Sequence, residues 1–352
     1  MAIFYLLIFA LVLLGAKIVP LHLTNSTSRN CTNCIKGIFI LMVFLSHSWG
    51  YIYESNPEID ILDRIFISIN SKFGQLIVVM FLFYSGYGVM YNIIHKKDTY
   101  INSIPHKRML VTLANFAIAV SIFILLNLML SREVTISQAL LSLIGWDSVG
   151  NSNWYIFCIV CCYAFTYIAF KLSRNLRTGL LILAALSLGY IYVISQFKGS
   201  WWYDTVLCYW AGASFAVLFP KLTSVFENQY WYCLTGSIVL FLVFYNLPWD
   251  YYALAFNISG IFFALTTVLI TMRIQIGNTA LDWLGRNLFP LYIYQRLPMI
   301  LFANLGISWL TSYSPVFVTL CFATTIGITQ IYQKVASLNC YNWIKSKLVS
   351  ID

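Results

Sequence analysis

The chain has 352 residues, 60% hydrophobic and 9% charged, with a formal charge of +9. A soluble domain carries about 25% charged residues, so that class is excluded. The basic excess does not point to nucleic acid either: Lys and Arg collect in the cytoplasmic loops of membrane proteins, and the sequence has no basic patch interleaved with polar surface.

Apolar runs near 20 residues recur along the chain, each long enough to cross about 30 Å of hydrocarbon. In order they cover 2–20, 35–53, 72–94, 108–130, 153–171, 178–196, 201–219, 231–247, 251–272, 283–304 and 314–334, about eleven spans. With no large polar insertion, residues 1–352 read as one all-α, polytopic transmembrane helix bundle. The first run lacks a basic leader and a small-residue cleavage site, so it is expected to be a retained span.

Loop charges set the expected orientation. Lys17, Arg29 and Lys36 gather where the first span ends and the second begins. The clusters Lys96, Lys97, Lys107 and Arg108, then Lys171, Arg174 and Arg177, then Lys221, Arg273, Lys334, Lys345 and Lys347 fall on alternate loops. The loops between them hold mainly acids or little charge: Glu54, Glu58, Asp60 and Asp63; Glu133 and Asp147; Asp204; Asp250. Positive loops stay inside, which predicts an external N-terminus, a cytoplasmic C-terminus and location in the cell (inner) membrane, among membrane lipids.

Within the second span, Lys36 and His47 are eleven positions apart. That is close to three turns, so both side chains share one helix face, separated by roughly 16 Å along the axis. An ionisable group inside a membrane helix is costly and marks a functional site by default. Such a face suits an extended substrate with its anionic end at Lys36 and its reactive end at His47. The structural alternative for His47 is a ring bonded to a backbone carbonyl.

Later stretches repeat this ambiguity. Gly86 and Gly88, in Phe83-Tyr-Ser-Gly-Tyr-Gly88, are expected to let helices approach closely. Lys107 and Arg108 open a span, where free amides and the helix field favour phosphate. Asn153, Trp154 and Tyr155 begin another; interfacial aromatics are usually belt residues. Asp204 is expected to be a solvated end residue. Arg296 falls about 15 Å beyond Arg286 by helical rise, a depth that demands a partner or a wet cavity. Pro290 and Pro298 predict kinks there. Cys31-Thr-Asn-Cys34 is a lone pair without a second ligand pair, and no clustered His/Asp set suggests a metal.

Taken in order, these stretches resemble the membrane acyltransferase-3 family. The resemblance rests on a basic residue, ten residues and a His (Lys36 to His47), on Phe83 to Gly88, on the basic pair 107–108, on Trp154, and on Leu281-Asp-Trp-Leu-Gly-Arg-Asn-Leu-Phe-Pro-Leu-Tyr-Ile-Tyr-Gln-Arg-Leu-Pro298. The family's usual Arg, second Arg and late His are replaced by Lys36, Val111 and Gln295. The resemblance implies a ten-helix core over 35–334 preceded by one extra helix at 2–20. It further implies transfer of an acetyl group from acetyl-CoA to a hydroxyl of a surface or exported polysaccharide, the acceptor free or carried on a lipid.

On that resemblance His47 is the base, and Lys36, Lys107 and Arg108 hold the donor's phosphates. Ser85, Asn153, Trp154, Gln295 and Arg296 contact the acceptor, and no metal is used. Gln can hydrogen-bond but cannot titrate, so Gln295 cannot move a proton. The competing class is a polysaccharide polymerase or flippase, for which the short external loops and lack of an internal repeat speak poorly. A scaffold that binds without chemistry is the third.

Overall fold

A computed structural model describes residues 1–55, 61–173, 175–247 and 252–338. The charges at Glu58, Asp60, Arg174, Asp250, Lys345 and Lys347 lie outside the described residues. The chain is helical nearly throughout. Its order is α1 (Ala2–Gly15), β1 (Ala16–Ile18), α2 (Leu23–Thr27), α3 (Arg29–Ser55), α4 (Ile61–Phe73), α5 (Leu76–Ile104), a π-helical turn (Pro105–Leu110), α6 (Val111–Met129) and α7 (Ile136–Leu143). There follow α8 (Trp154–Leu172), α9 (Leu176–Ser195), a 3-10 turn (Ser200–Trp202), α10 (Leu207–Asn228), α11 (Tyr230–Tyr245), α12 (Tyr252–Arg273), β2 (Ile274–Ile276), α13 (Thr279–Arg286), α14 (Leu288–Tyr294), α15 (Arg296–Ala303), α16 (Ser308–Ser312) and α17 (Ser314–Ser337).

Among the described residues, seven helical stretches are long and apolar enough to cross a membrane. One of them, 61–129, holds α4, α5 and α6 in succession. The multi-pass, all-α architecture is therefore in place, while the count of about eleven depends on shorter pieces. The first expected span is a helix of only 14 residues that gives way to β1, and α11 has 16. The expected span 283–304 is three short helices. Pro290 and Pro298 explain its breaks. Each lies in the first turn of a new segment and lacks the N–H that would bond the carbonyl four residues back. Those carbonyls belong to Arg286 and Tyr294, the last residues of α13 and α14.

Two glycine-paired crossings hold the bundle. At α5 and α10, a Cβ on Gly86 would meet the Tyr209 carbonyl oxygen at 2.0 Å, and one on Gly212 would meet that of Phe83 at 1.9 Å. At α3 and α13, Gly37 faces the Leu281 oxygen at 2.1 Å and Gly285 the Asn33 oxygen at 1.9 Å. Small residues permit such backbone contact, which supplies dispersion where lipid leaves no hydrophobic drive. Gly88, by contrast, has nothing within 4 Å of a built Cβ; the packing role expected of it belongs to Gly86 alone.

The ribbon was not expected from the sequence. Residues 16–18 pair antiparallel with 274–276, so α1 is tied to the end of α12. Asn278 then caps α13, its side-chain oxygen accepting from the amides of Ala280 and Leu281, as an Asn N-cap does. That cap starts α13 where it can lie along the first turns of α3. Helices α4 and α7 also occupy stretches read as loops; both are amphipathic and short, with Asp63 in the first turn of α4.

Candidate functional site

His47 lies two turns before the end of α3 and lines a cavity of about 130 Å³. The other walls come from three places. Asn70, Gly74 and Gln75 belong to the α4–α5 junction, Trp154 to the start of α8, and Tyr292 to α14. Gly74 has φ +44°, a left-handed conformation that glycine adopts without steric cost; it turns the chain sharply under the cavity. Asn70 is fixed there, accepting from the Tyr5 hydroxyl at 3.3 Å and donating to Ser46 at 3.4 Å.

Two buried polar atoms at this cavity have no hydrogen-bond partner among the described residues: Nδ1 of His47 and the hydroxyl of Tyr292. The rings are 6.5 Å apart, centroid to centroid. The carbonyl-bonded alternative for His47 is thus not what the structure holds. An unpaired buried polar atom costs about 1–3 kcal/mol, and native proteins carry few of them. Both border one chamber, so a molecule bound there meets two groups able to hydrogen-bond with it.

Beside the chamber, α14 ends at Tyr294 and α15 begins at Arg296. The break lets Arg296 turn toward α3, where its Nε donates to the Tyr51 hydroxyl at 3.1 Å and its guanidinium lies 5.7 Å over the Tyr51 ring. Tyr51 is four residues after His47, on the same face. The partner that Arg296 requires is therefore Tyr51. Its charge lies within electrostatic range of both His47 and Tyr292. Gln295 is 1% exposed; its amide donates to the Tyr292 carbonyl at 3.1 Å and its Oε1 is unpaired.

The remaining residues singled out in the sequence scatter around this centre. Trp154 is in the chamber wall. Asn153 is not; its side-chain amide donates to the Gly145 and Asp147 carbonyls at 3.1 and 3.0 Å, holding the turn that delivers α8. Tyr155 is buried rather than interfacial, with ring contacts to Phe81 at 6.0 Å and Tyr292 at 5.3 Å. Ser85 lies against the side chains of Tyr155 and Tyr163, one layer behind the chamber.

Lys36 is half-buried at the far end of α3, with Arg29 and Asp282 as its charged neighbours. Lys107 and Arg108 are exposed on the π-helical turn, where Arg108 donates to the Tyr100 hydroxyl at 3.1 Å. Asp204 corrects an expectation: it is 1% exposed, not solvated, and neither carboxylate oxygen is bonded within the described residues. Cys31 and Cys34 are both free and buried.

Tyr292 is the residue that sequence reasoning passed over. It stands inside Leu281–Pro298, but a Tyr in an apolar helix reads as packing or belt. The one available signal was position: three residues before Gln295, on the segment between two prolines.

Residues 29–332 match the family model described as acyltransferase domain, acyltransferase 3. The chain belongs to the acyltransferase-3 family. The matched stretch begins at the first residue of α3 and ends inside α17, so α1, β1 and α2 precede the family domain. His47, Tyr292 and Arg296 all lie within it. No curated protein and no solved structure matches. Membership makes the chain a membrane acyltransferase.

Proposed function

We propose that this acyltransferase moves an acetyl group from acetyl-CoA to a hydroxyl of a cell-surface or exported polysaccharide, with His47 as general base. The observation that carries the reading is the unpaired imidazole nitrogen of His47 in a chamber of about 130 Å³. The chamber brings His47 together with Trp154 and Tyr292, so an acyl group and a sugar hydroxyl can meet beside the imidazole.

Eleven spans are counted in this reading: α1, α3, α5, α6, α8 to α12, the broken run α13–α15, and α17. Short α1 and α11 cross by local thinning of the bilayer. The N-terminus is then outside and the C-terminus cytoplasmic in the inner membrane. Lys36 faces the cytoplasm, and His47 sits roughly 16 Å deeper. Lys36, Lys107 and Arg108 attract the donor's phosphates from that side. Trp154 and Arg296 meet the acceptor, a glycan free or carried on a lipid; Gln295 and Ser85 shape the wall behind. Asn153 acts through the turn before α8.

In the reaction, His47 takes the proton of the sugar hydroxyl as its oxygen attacks the thioester carbonyl. The tetrahedral species collapses, the C–S bond breaks, and the thiolate leaves with the proton from His47. General base help is worth about 10²–10⁴-fold, and holding both substrates in line supplies more. The test is transfer of label from acetyl-CoA to purified surface polysaccharide in membranes with and without the protein. Labelled glycan only with the protein is expected; equal labelling of both overturns the reading.

A further inference from the structure

The geometry points to an oxyanion hole formed by the Tyr292 hydroxyl and the amino terminus of α8, facing His47 across the chamber. Rested on the acyl-transfer reading, it assigns a catalytic residue to α14 that the reading itself does not need.

Three observations converge. First, α8 has 19 residues, its N-cap Asn153 makes no capping bond, and the Asn153 side chain is engaged with Gly145 and Asp147 instead. The amides of Trp154 and Tyr155 belong to the first turn, where N–H groups have no intrahelical acceptor. Second, the Tyr292 hydroxyl lies beside the backbone of Tyr155 and is buried, with no partner of hydrogen-bond geometry among the described residues. Tyr292 is 3% exposed and lines the same cavity as His47 and Trp154. Third, the Tyr292 ring packs edge to face with Tyr155 at 5.3 Å and lies 6.5 Å from His47, centroid to centroid. A phenol so held is pre-organised, and its own hydrogen is free to donate.

The step balances as follows. As the acceptor oxygen bonds the carbonyl carbon, the C=O π pair moves onto oxygen. The Tyr292 O–H donates to that oxyanion, while the Tyr155 N–H polarises the phenol from behind and the positive end of α8 adds its field. When the C–S bond breaks, the pair returns to the carbonyl and the Tyr292 proton remains with Tyr292. His47 alone moves a proton between acceptor and thiolate. Fixed donors aimed at developing charge need no reorganisation, and one of them is worth about 10²–10³-fold in kcat.

The test is Tyr292→Phe in the full chain, assayed with acetyl-CoA and the glycan acceptor. The expected result is a kcat lower by about 10²–10³-fold, with donor KM and thermal stability within about twofold of wild type. A structural role would move Tm or KM instead. Unchanged kcat in Tyr292→Phe overturns the inference, whereas absence of transfer by wild type overturns the acyl-transfer reading beneath it. Should Tyr292→Phe fail to fold, fluorotyrosine at position 292 keeps the ring's shape and makes its hydroxyl a stronger donor; a changed kcat is expected, and an unchanged kcat overturns the inference.

Discussion

At the Lys36 end of α3, polar groups are matched in pairs. Asn33 donates to Asp282 at 3.0 Å, Asp282 bridges Arg286 at 2.5 Å, Cys34 meets the Asn278 carbonyl at 3.5 Å, and two glycines let the backbones touch. At the His47 end the same helix borders a cavity, and His47, Tyr292 and Gln295 each leave a buried polar atom without a partner. One end is built as a clamp, its backbones in contact at Gly37 and Gly285. The other opens onto a cavity, where His47 and Tyr292 are placed to meet a substrate.

Substitutions at either end test the division. His47→Ala is expected to lower transfer by about 10²–10⁴-fold while leaving Tm within a few degrees, since the lost atom bonded nothing. A variant that keeps full activity in a labelled-acetyl assay would remove His47 from the chemistry. Gly285→Val should do the reverse. Its first carbon would come 1.9 Å from the Asn33 oxygen, and overpacking of this sort costs about 1–3 kcal/mol or more. Thermal unfolding in detergent should show the loss, and an unchanged Tm would mean that the clamp is not rigid.

Smaller effects sharpen the contrast. Lys36→Gln is expected to raise donor KM about tenfold with kcat nearly unchanged, as loss of uniform binding does; steady-state kinetics at varied acetyl-CoA decide it. Gly88→Ala should be silent in activity and stabilising by roughly 0.5–1 kcal/mol, because a Cβ there meets nothing within 4 Å. A destabilised Gly88→Ala would show that the open space beside α5 is filled in the membrane.

Much of this was legible in the sequence, for physical reasons. Helices α3, α8, α9 and α17 announced themselves because an apolar run of that length has one stable state in lipid. Lys36 and His47 on one face followed from helical period alone, and a cation partner for depth correctly demanded an explanation at Arg296. The misses have causes too. Tyr51 and Tyr292 carry hydroxyls on apolar rings, and composition cannot say which end is satisfied. Asp204 looked solvated because a carboxylate normally is; only the packing of α10 shows it buried. The acids near α4 suggested a loop, although an amphipathic helix lying along the bundle carries them equally well.

The short ribbon has a consequence for assembly. Without residues 16–18, the strand 274–276 would present bare amides and carbonyls, an edge ready to recruit any extended chain nearby. Residues 16–18 close that edge from within the chain, at the junction that launches α13.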